Sequence, residues 1–145
     1  MLMSRIPKTD PKVAVLRDCF GFSSARERDL TALAMLFDEV RIAAGERLVR
    51  EGEPGREFFL IVAGQAVVSF DGEPVATVGP GEFVGELSLF DQGPRSATVT
   101  ALTPMETLVA GAEGFATLLN DAAVVRRLAA TLARRLRANQ GSPSY

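Results

Sequence analysis

Residues 81–99 read Gly-Glu-Phe-Val-Gly-Glu-Leu-Ser-Leu-Phe-Asp-Gln-Gly-Pro-Arg-Ser-Ala-Thr-Val, and this stretch carries most of the information on fold and chemistry. Gly85 allows the backbone to approach a ligand closely. Residues 86–89 predict one helical turn, whose free N–H groups favour an anion. Gly93-Pro94 predicts a turn that brings Arg95 back towards that helix. A guanidinium facing a helix N-terminus suits a single phosphate group.

Glu86 lies beside this predicted anion site, and its charge makes it a poor phosphate ligand. A carboxylate is, however, a good acceptor for a sugar hydroxyl, as in dinucleotide sites. Phosphate and ribose at one loop imply a nucleotide. Taken singly, each residue has an ordinary explanation: Arg95 as a surface arginine, Glu86 as a helix-start carboxylate and Ser96 as a local backbone ligand.

The run from Gly85-Glu86-Leu87 to Arg95-Ser96-Ala97 resembles the phosphate-binding cassette of the cyclic nucleotide-binding domain family. That family includes bacterial catabolite activator proteins, regulatory subunits of cyclic-AMP-dependent kinase and cyclic nucleotide-gated channels. The resemblance extends over about residues 24–139. Upstream, it rests on the family's glycine-and-strand pattern, which matches residues 42–46, Gly52, Gly55, residues 59–62 and Gly64.

The resemblance implies a sensor that binds cyclic AMP, with cyclic GMP as second choice, needs no other cofactor and performs no catalysis. It assigns the cyclic phosphate to Arg95, Ser96, Ala97 and Leu87, the ribose to Glu86 and Gly85, and the base to Ser96, Asn139 and Gln140. Serine after the arginine also occurs in the bacterial cyclic-AMP activators, which favours cyclic AMP. Asn139-Gln140 stand where those activators have a Thr-Ser pair that contacts adenine. Their amides suit an adenine edge, and ordinary solvent exposure at a helix end fits equally well.

The fold class predicted is mainly β with flanking helices, a jelly-roll-like β-roll of about eight strands. Short apolar segments separated by glycines predict strands, and Asp71-Gly72 predicts a tight hairpin. The predicted strands cover residues 48–49, 58–62, 66–70, 75–78, 97–102 and 105–110.

Helices are predicted on both sides of the roll. Ser24 and Glu27 form a capping-box pattern before an apolar stripe that ends at Phe37, and Asp121 is predicted to cap the last helix. We assign residues 1–12 to a flexible lead, 13–140 to the nucleotide-binding domain and 141–145 to a tail.

The last helix has an apolar stripe at Val125, Leu128, Leu132 and Leu136. It fits equally a seam for a homodimer or protein partner and packing against the chain's own roll. We interpret the arginines at 126, 127, 134, 135 and 137 as a solvated face, because the net charge is -2 and aromatics are missing from the helix. No helix-turn-helix follows, so we expect no direct DNA binding. Ligand-driven movement of this helix is the expected output.

Several function classes are disfavoured by composition. The chain has no histidine and one cysteine, which disfavours zinc sites and catalytic triads. A lone cysteine and the lack of a signal peptide or apolar span predict a cytoplasmic protein that does not enter membranes. Two other hypotheses stay open: a ligand-free scaffold domain of the same fold, and a transcriptional regulator acting through another chain.

Overall fold

The computed structural model describes residues 11–20, 27–91 and 93–138. In this part of the chain, eight strands form two four-stranded antiparallel sheets. One sheet has the order β1-β8-β3-β6 and the other β2-β7-β4-β5. The strands are β1 Phe37–Ile42, β2 Arg47–Val49, β3 Phe58–Ala63, β4 Ala66–Phe70, β5 Glu73–Val78, β6 Phe83–Val84, β7 Thr98–Ala101 and β8 Met105–Ala110. The predicted mainly-β roll is confirmed.

Five helices flank or interrupt the roll in the described residues, and none is long and apolar enough to cross a membrane. They are α1 Pro11–Phe20, α2 Glu27–Ala34, α3 Glu86–Asp91, α4 Ala112–Leu118 and α5 Ala122–Ala138. Residues 11 and 12, predicted as part of the lead, belong to α1, because proline is well tolerated in a first helical turn. Residues 1–10, the predicted cap Ser24 and the predicted tail lie outside the described residues.

Strands β3 and β8, at the centre of their sheet, are largely apolar on both faces because they are covered on both sides. In β8, Met105 and Val109 pack into the interior of the roll, whereas Leu108 and Ala110 pack with the helices. The described residues therefore form two apolar clusters that share one sheet. Strand β6 places the residues before α3 at the edge of that sheet.

The predicted hairpin turn at Asp71-Gly72 is confirmed, and two strands were missed. Asp71 and Gly72 have φ of 52° and 83°, as a primed hairpin turn requires. Phe37, predicted on a helical stripe, instead begins β1 and pairs with Ala110. Strand β6 is only two residues long, too short for an alternating pattern to reveal it.

The buried face of α5 is shifted by one residue from the predicted stripe. Leu128 is buried as expected, but Val125 and Leu136 are 42% and 60% exposed. The buried residues are Val124, Leu128, Thr131 and Arg135. The prediction that all five arginines are solvated is wrong for Arg135, which is 5% exposed because it pairs with a buried carboxylate.

Candidate functional site

Gly85 connects β6 to α3 in a backbone conformation that favours glycine. Its φ is +97°, and a Cβ added there would lie 2.6 Å from both the Glu57 carbonyl oxygen and Arg95 Nη1. A larger residue would be strained and would overlap a backbone atom. Glycine therefore allows the start of α3, with Glu86, to lie directly against the arginine.

Backbone carbonyl groups hold the side chain of Arg95 in place, and the residue is only 8% exposed. Its Nη1 donates to the Gly85 oxygen at 3.2 Å, and its Nη2 donates to the Glu57 oxygen at 2.8 Å. A Cβ at Gly55 would lie 2.8 Å from Arg95 Nε, so glycine is needed there too. These contacts fix the guanidinium before any ligand arrives, which lowers the ordering cost of binding.

Burial and two nearby carboxylates act in opposite directions on the charge of Arg95. Burial lowers the pKa of its guanidinium, and the carboxylates of Glu57 and Glu86 oppose that shift. A guanidinium group carries five N–H donors. Arg95 uses two of them in its hydrogen bonds to the described residues Gly85 and Glu57. A buried cation with donors to spare favours one anionic group.

Glu86 is fully buried, and its two carboxylate oxygens differ sharply. Oε1 accepts a hydrogen bond from Arg135 Nη1 at 2.8 Å. Oε2 has no donor among the described residues. Burial raises the pKa of this carboxyl above 4.5, against the opposing charge of Arg135. A buried acceptor without a donor is costly, which favours a hydrogen-bond donor from beyond the described residues.

Arg135 reaches from α5 into the site and was missed as a functional residue. Its Nη2 donates to the Phe83 oxygen at 2.6 Å, and its guanidinium lies 5.2 Å from the centre of the Phe83 ring. One pattern pointed to it: Val124, Leu128 and Arg135 share a helical stripe. The stripe through Val125 is more apolar, so hydropathy favours it over the stripe that contains Arg135.

The structure brings together the predicted residues Gly85, Glu86 and Arg95. Ser96 and Ala97 follow Arg95 directly, one half-buried and one buried, and Leu87 is in the first turn of α3. The predicted base contacts Asn139 and Gln140 lie outside the described residues.

The raised pKa of Glu86 predicts a pH dependence of stability. Between pH 4.5 and the raised folded value, the native carboxyl keeps a proton that the unfolded chain has released. Stability relative to Glu86→Gln should therefore fall as the pH rises through that interval. Urea unfolding of both proteins at several pH values measures this difference. A difference that stays constant or grows with pH would contradict it.

A family model described as the cyclic nucleotide-binding domain matches residues 39–122. The regulatory subunit of cAMP-dependent protein kinase from Emericella nidulans is 35% identical over 116 residues, which make up 79% of this chain and 28% of that protein. The chain thus spans less than a third of that curated relative.

Solved structures share the fold. The cAMP-binding acyltransferase from Mycobacterium smegmatis gives a TM-score of 0.71 at 31% identity, over 87% of this chain and 40% of that one. The catabolite activator protein of Thermus thermophilus gives 0.65 at 30% identity, over 79% of this chain and 56% of that one. The family match covers more than half of the sequence and includes Gly85, Glu86 and Arg95. The chain therefore belongs to the cyclic nucleotide-binding domain family.

Proposed function

We propose that this chain senses a purine 3′,5′-cyclic monophosphate, with cyclic AMP preferred and cyclic GMP second. The observation that carries the proposal is the buried Oε2 of Glu86, which has no donor among the described residues and lies beside the fixed cation of Arg95. A 3′,5′-cyclic phosphate has one negative charge. The ribose 2′-hydroxyl is on C2′, the carbon adjacent to the C3′ that bears the phosphate. One such ligand therefore supplies both the anion and the donor.

In this proposal Arg95 binds the cyclic phosphate, with Ser96 and Ala97 adding contacts directly after it and Leu87 adding one from the first turn of α3. Glu86 accepts the 2′-hydroxyl, and the backbone of Gly85 lies beside the ribose. Ser96, Asn139 and Gln140 stay predictions for the base. The preference for cyclic AMP draws support from Ser96 and from two relatives, a cAMP-dependent kinase subunit and a cAMP-binding acyltransferase.

The proposed role is binding and signalling without catalysis or a further cofactor. Because the chain spans only part of its relatives, their catalytic and regulatory activities are not carried over to it. The proposed compartment is the cytoplasm, where a lone cysteine stays reduced.

Discrimination between sugars tests the role of Glu86. A hydrogen bond to a charged group contributes about 1.5–3 kcal/mol, so the unmodified protein should bind cyclic AMP at least about tenfold more tightly than 2′-deoxy-cyclic AMP. Glu86→Ala should largely remove this preference, whereas Glu106→Ala, at an exposed glutamate on β8, should keep it. Calorimetric titration gives both affinities. Equal affinity of the unmodified protein for the two sugars would refute this role without reference to any variant.

We also propose that α5 transmits the signal through Arg135. This side chain joins α5 to Glu86 at 2.8 Å and to Phe83 at 2.6 Å, so it links the candidate site to the last helix. A ligand hydroxyl on Oε2 would satisfy the buried carboxylate and favour its charged form. The charged form holds Arg135 more tightly, which would stabilise the docked position of α5.

Hydrogen exchange on α5 tests this link. Saturating cyclic AMP should increase amide protection in the unmodified helix. Arg135→Gln should bind cyclic AMP within about tenfold of the unmodified protein, yet its α5 protection should no longer respond. The control Arg127→Gln, at an exposed position on the same helix, should respond normally. Protection of α5 that is unchanged by ligand in the unmodified protein would contradict the proposal.

A further inference from the structure

An apolar strip runs along the exposed surface of α5, beside the buried face of the helix. Val125 is 42% exposed, Leu136 is 60% exposed, and the partly exposed Leu132 and exposed Ala129 lie between them. These positions recur every three or four residues, so they line up along one side of the helix. They lie next to the buried face of Val124 and Leu128 and are not part of it.

A second strip on the exposed side consists of arginines. Arg126, Arg127, Arg134 and Arg137 are exposed, and α5 contains no acidic residue. None of the four forms an ion pair with an acidic side chain in the described part of the chain. This cationic surface belongs to a chain whose net charge is -2, so it is local to α5.

We infer that the exposed side of α5 docks an acidic amphipathic helix of a partner protein. Apolar side chains of that helix would cover Val125, Leu132 and Leu136, and its flanking carboxylates would pair with the arginines. Adjacent apolar and charged rows are the features that coiled-coil partners match. Charge complementarity gives the partner its specificity and speeds its association.

Charge and composition select this occupant over the others. A second copy would bring one arginine-flanked strip against another, and like charges beside a helix seam oppose pairing. Helices that insert at a membrane surface usually carry tryptophan or phenylalanine among their apolar residues, and α5 has no aromatic residue. The inference is independent of nucleotide binding, because none of these side chains contributes to the site; it would supply the partner that the proposed sensor needs.

The test uses the full chain and two synthetic amphipathic helices. Both peptides carry leucine on one face; one has glutamate on the flanking positions and the other has lysine. Fluorescence anisotropy should show the glutamate peptide binding at least about tenfold more tightly, and losing affinity as salt rises. Leu136→Ser and the pair Arg134→Gln with Arg137→Gln should each weaken it about fivefold or more.

Two matched substitutions elsewhere control for loss of an exposed leucine or arginine. Leu102→Ser, on the turn after β7 where Leu102 is 52% exposed, and Arg47→Gln on β2 should leave peptide binding unchanged. Equal binding of the two peptides would overturn the inference. So would sedimentation showing self-association that Leu136→Glu abolishes, which would make the occupant a second copy. Binding to phosphatidylserine vesicles that Leu136→Ser removes would make it a membrane.

Discussion

Arg95→Ala is expected to weaken cyclic AMP binding by about 2–4 kcal/mol, roughly 30- to 1000-fold. The substitution removes a buried cation whose position is set by hydrogen bonds to Gly85 and Glu57. Without it, the cyclic phosphate would enter a partly closed site with no compensating charge. Calorimetric titration of the variant, checked for native circular dichroism, measures the loss.

Two further substitutions separate charge from geometry at this position. Arg95→Lys keeps the cation but loses the planar fork, so its affinity should lie between those of the unmodified protein and Arg95→Ala. Arg47→Ala, at an exposed arginine on β2, should bind normally. Folded Arg95→Ala with unchanged affinity would show that the phosphate is held elsewhere.

Gly85→Ala is expected to damage both stability and binding. The left-handed conformation, with φ of +97°, costs an alanine about 1–2 kcal/mol. The added Cβ would also overlap the Glu57 carbonyl oxygen, a backbone atom that cannot rotate away, and Arg95 Nη1. Overpacking adds about 1–3 kcal/mol, and displacement of Arg95 should weaken cyclic AMP binding at least about tenfold. Urea unfolding and titration measure the two effects.

Gly72→Ala separates backbone strain from overlap. Gly72 has a similar φ of +83° in the β4–β5 hairpin, and nothing lies within 4 Å of the added Cβ. This variant should lose about 1–2 kcal/mol of stability and bind cyclic AMP normally. If Gly85→Ala lost no more stability and no more cyclic AMP affinity than Gly72→Ala, the close approach of α3 to Arg95 would not matter for binding.

Short sequence patterns predicted the features that are formed by residues close together in the chain. Glycine-separated apolar runs gave six of the eight strands approximately, and β4 and β8 at both ends. The site residues Gly85, Glu86 and Arg95 were predicted together because they lie within one short segment. Strand β1 was missed because Phe37 continues a helical stripe, and only its pairing with Ala110 makes it a strand residue.

Contacts between distant segments could not be predicted in the same way. Arg135 and Glu86 are 49 residues apart in sequence. Two stripes on α5 have helical spacing, and hydropathy favours the one through Val125 and Leu136. The fold buries the other stripe because Arg135 forms an ion pair with the buried carboxylate of Glu86. A buried charge is identified by its partner, and the partner is known only once the chain is folded.

Calorimetric titration of cyclic AMP into the refolded, ligand-stripped chain tests the central claim most directly. The account predicts saturable binding at one site per chain, with micromolar or tighter affinity and weaker binding of cyclic GMP. It also predicts that cyclic AMP raises the melting temperature, because a ligand that binds only the native state stabilises it. No heat and no thermal stabilisation by either nucleotide would contradict it and would identify a domain that keeps the fold without the ligand.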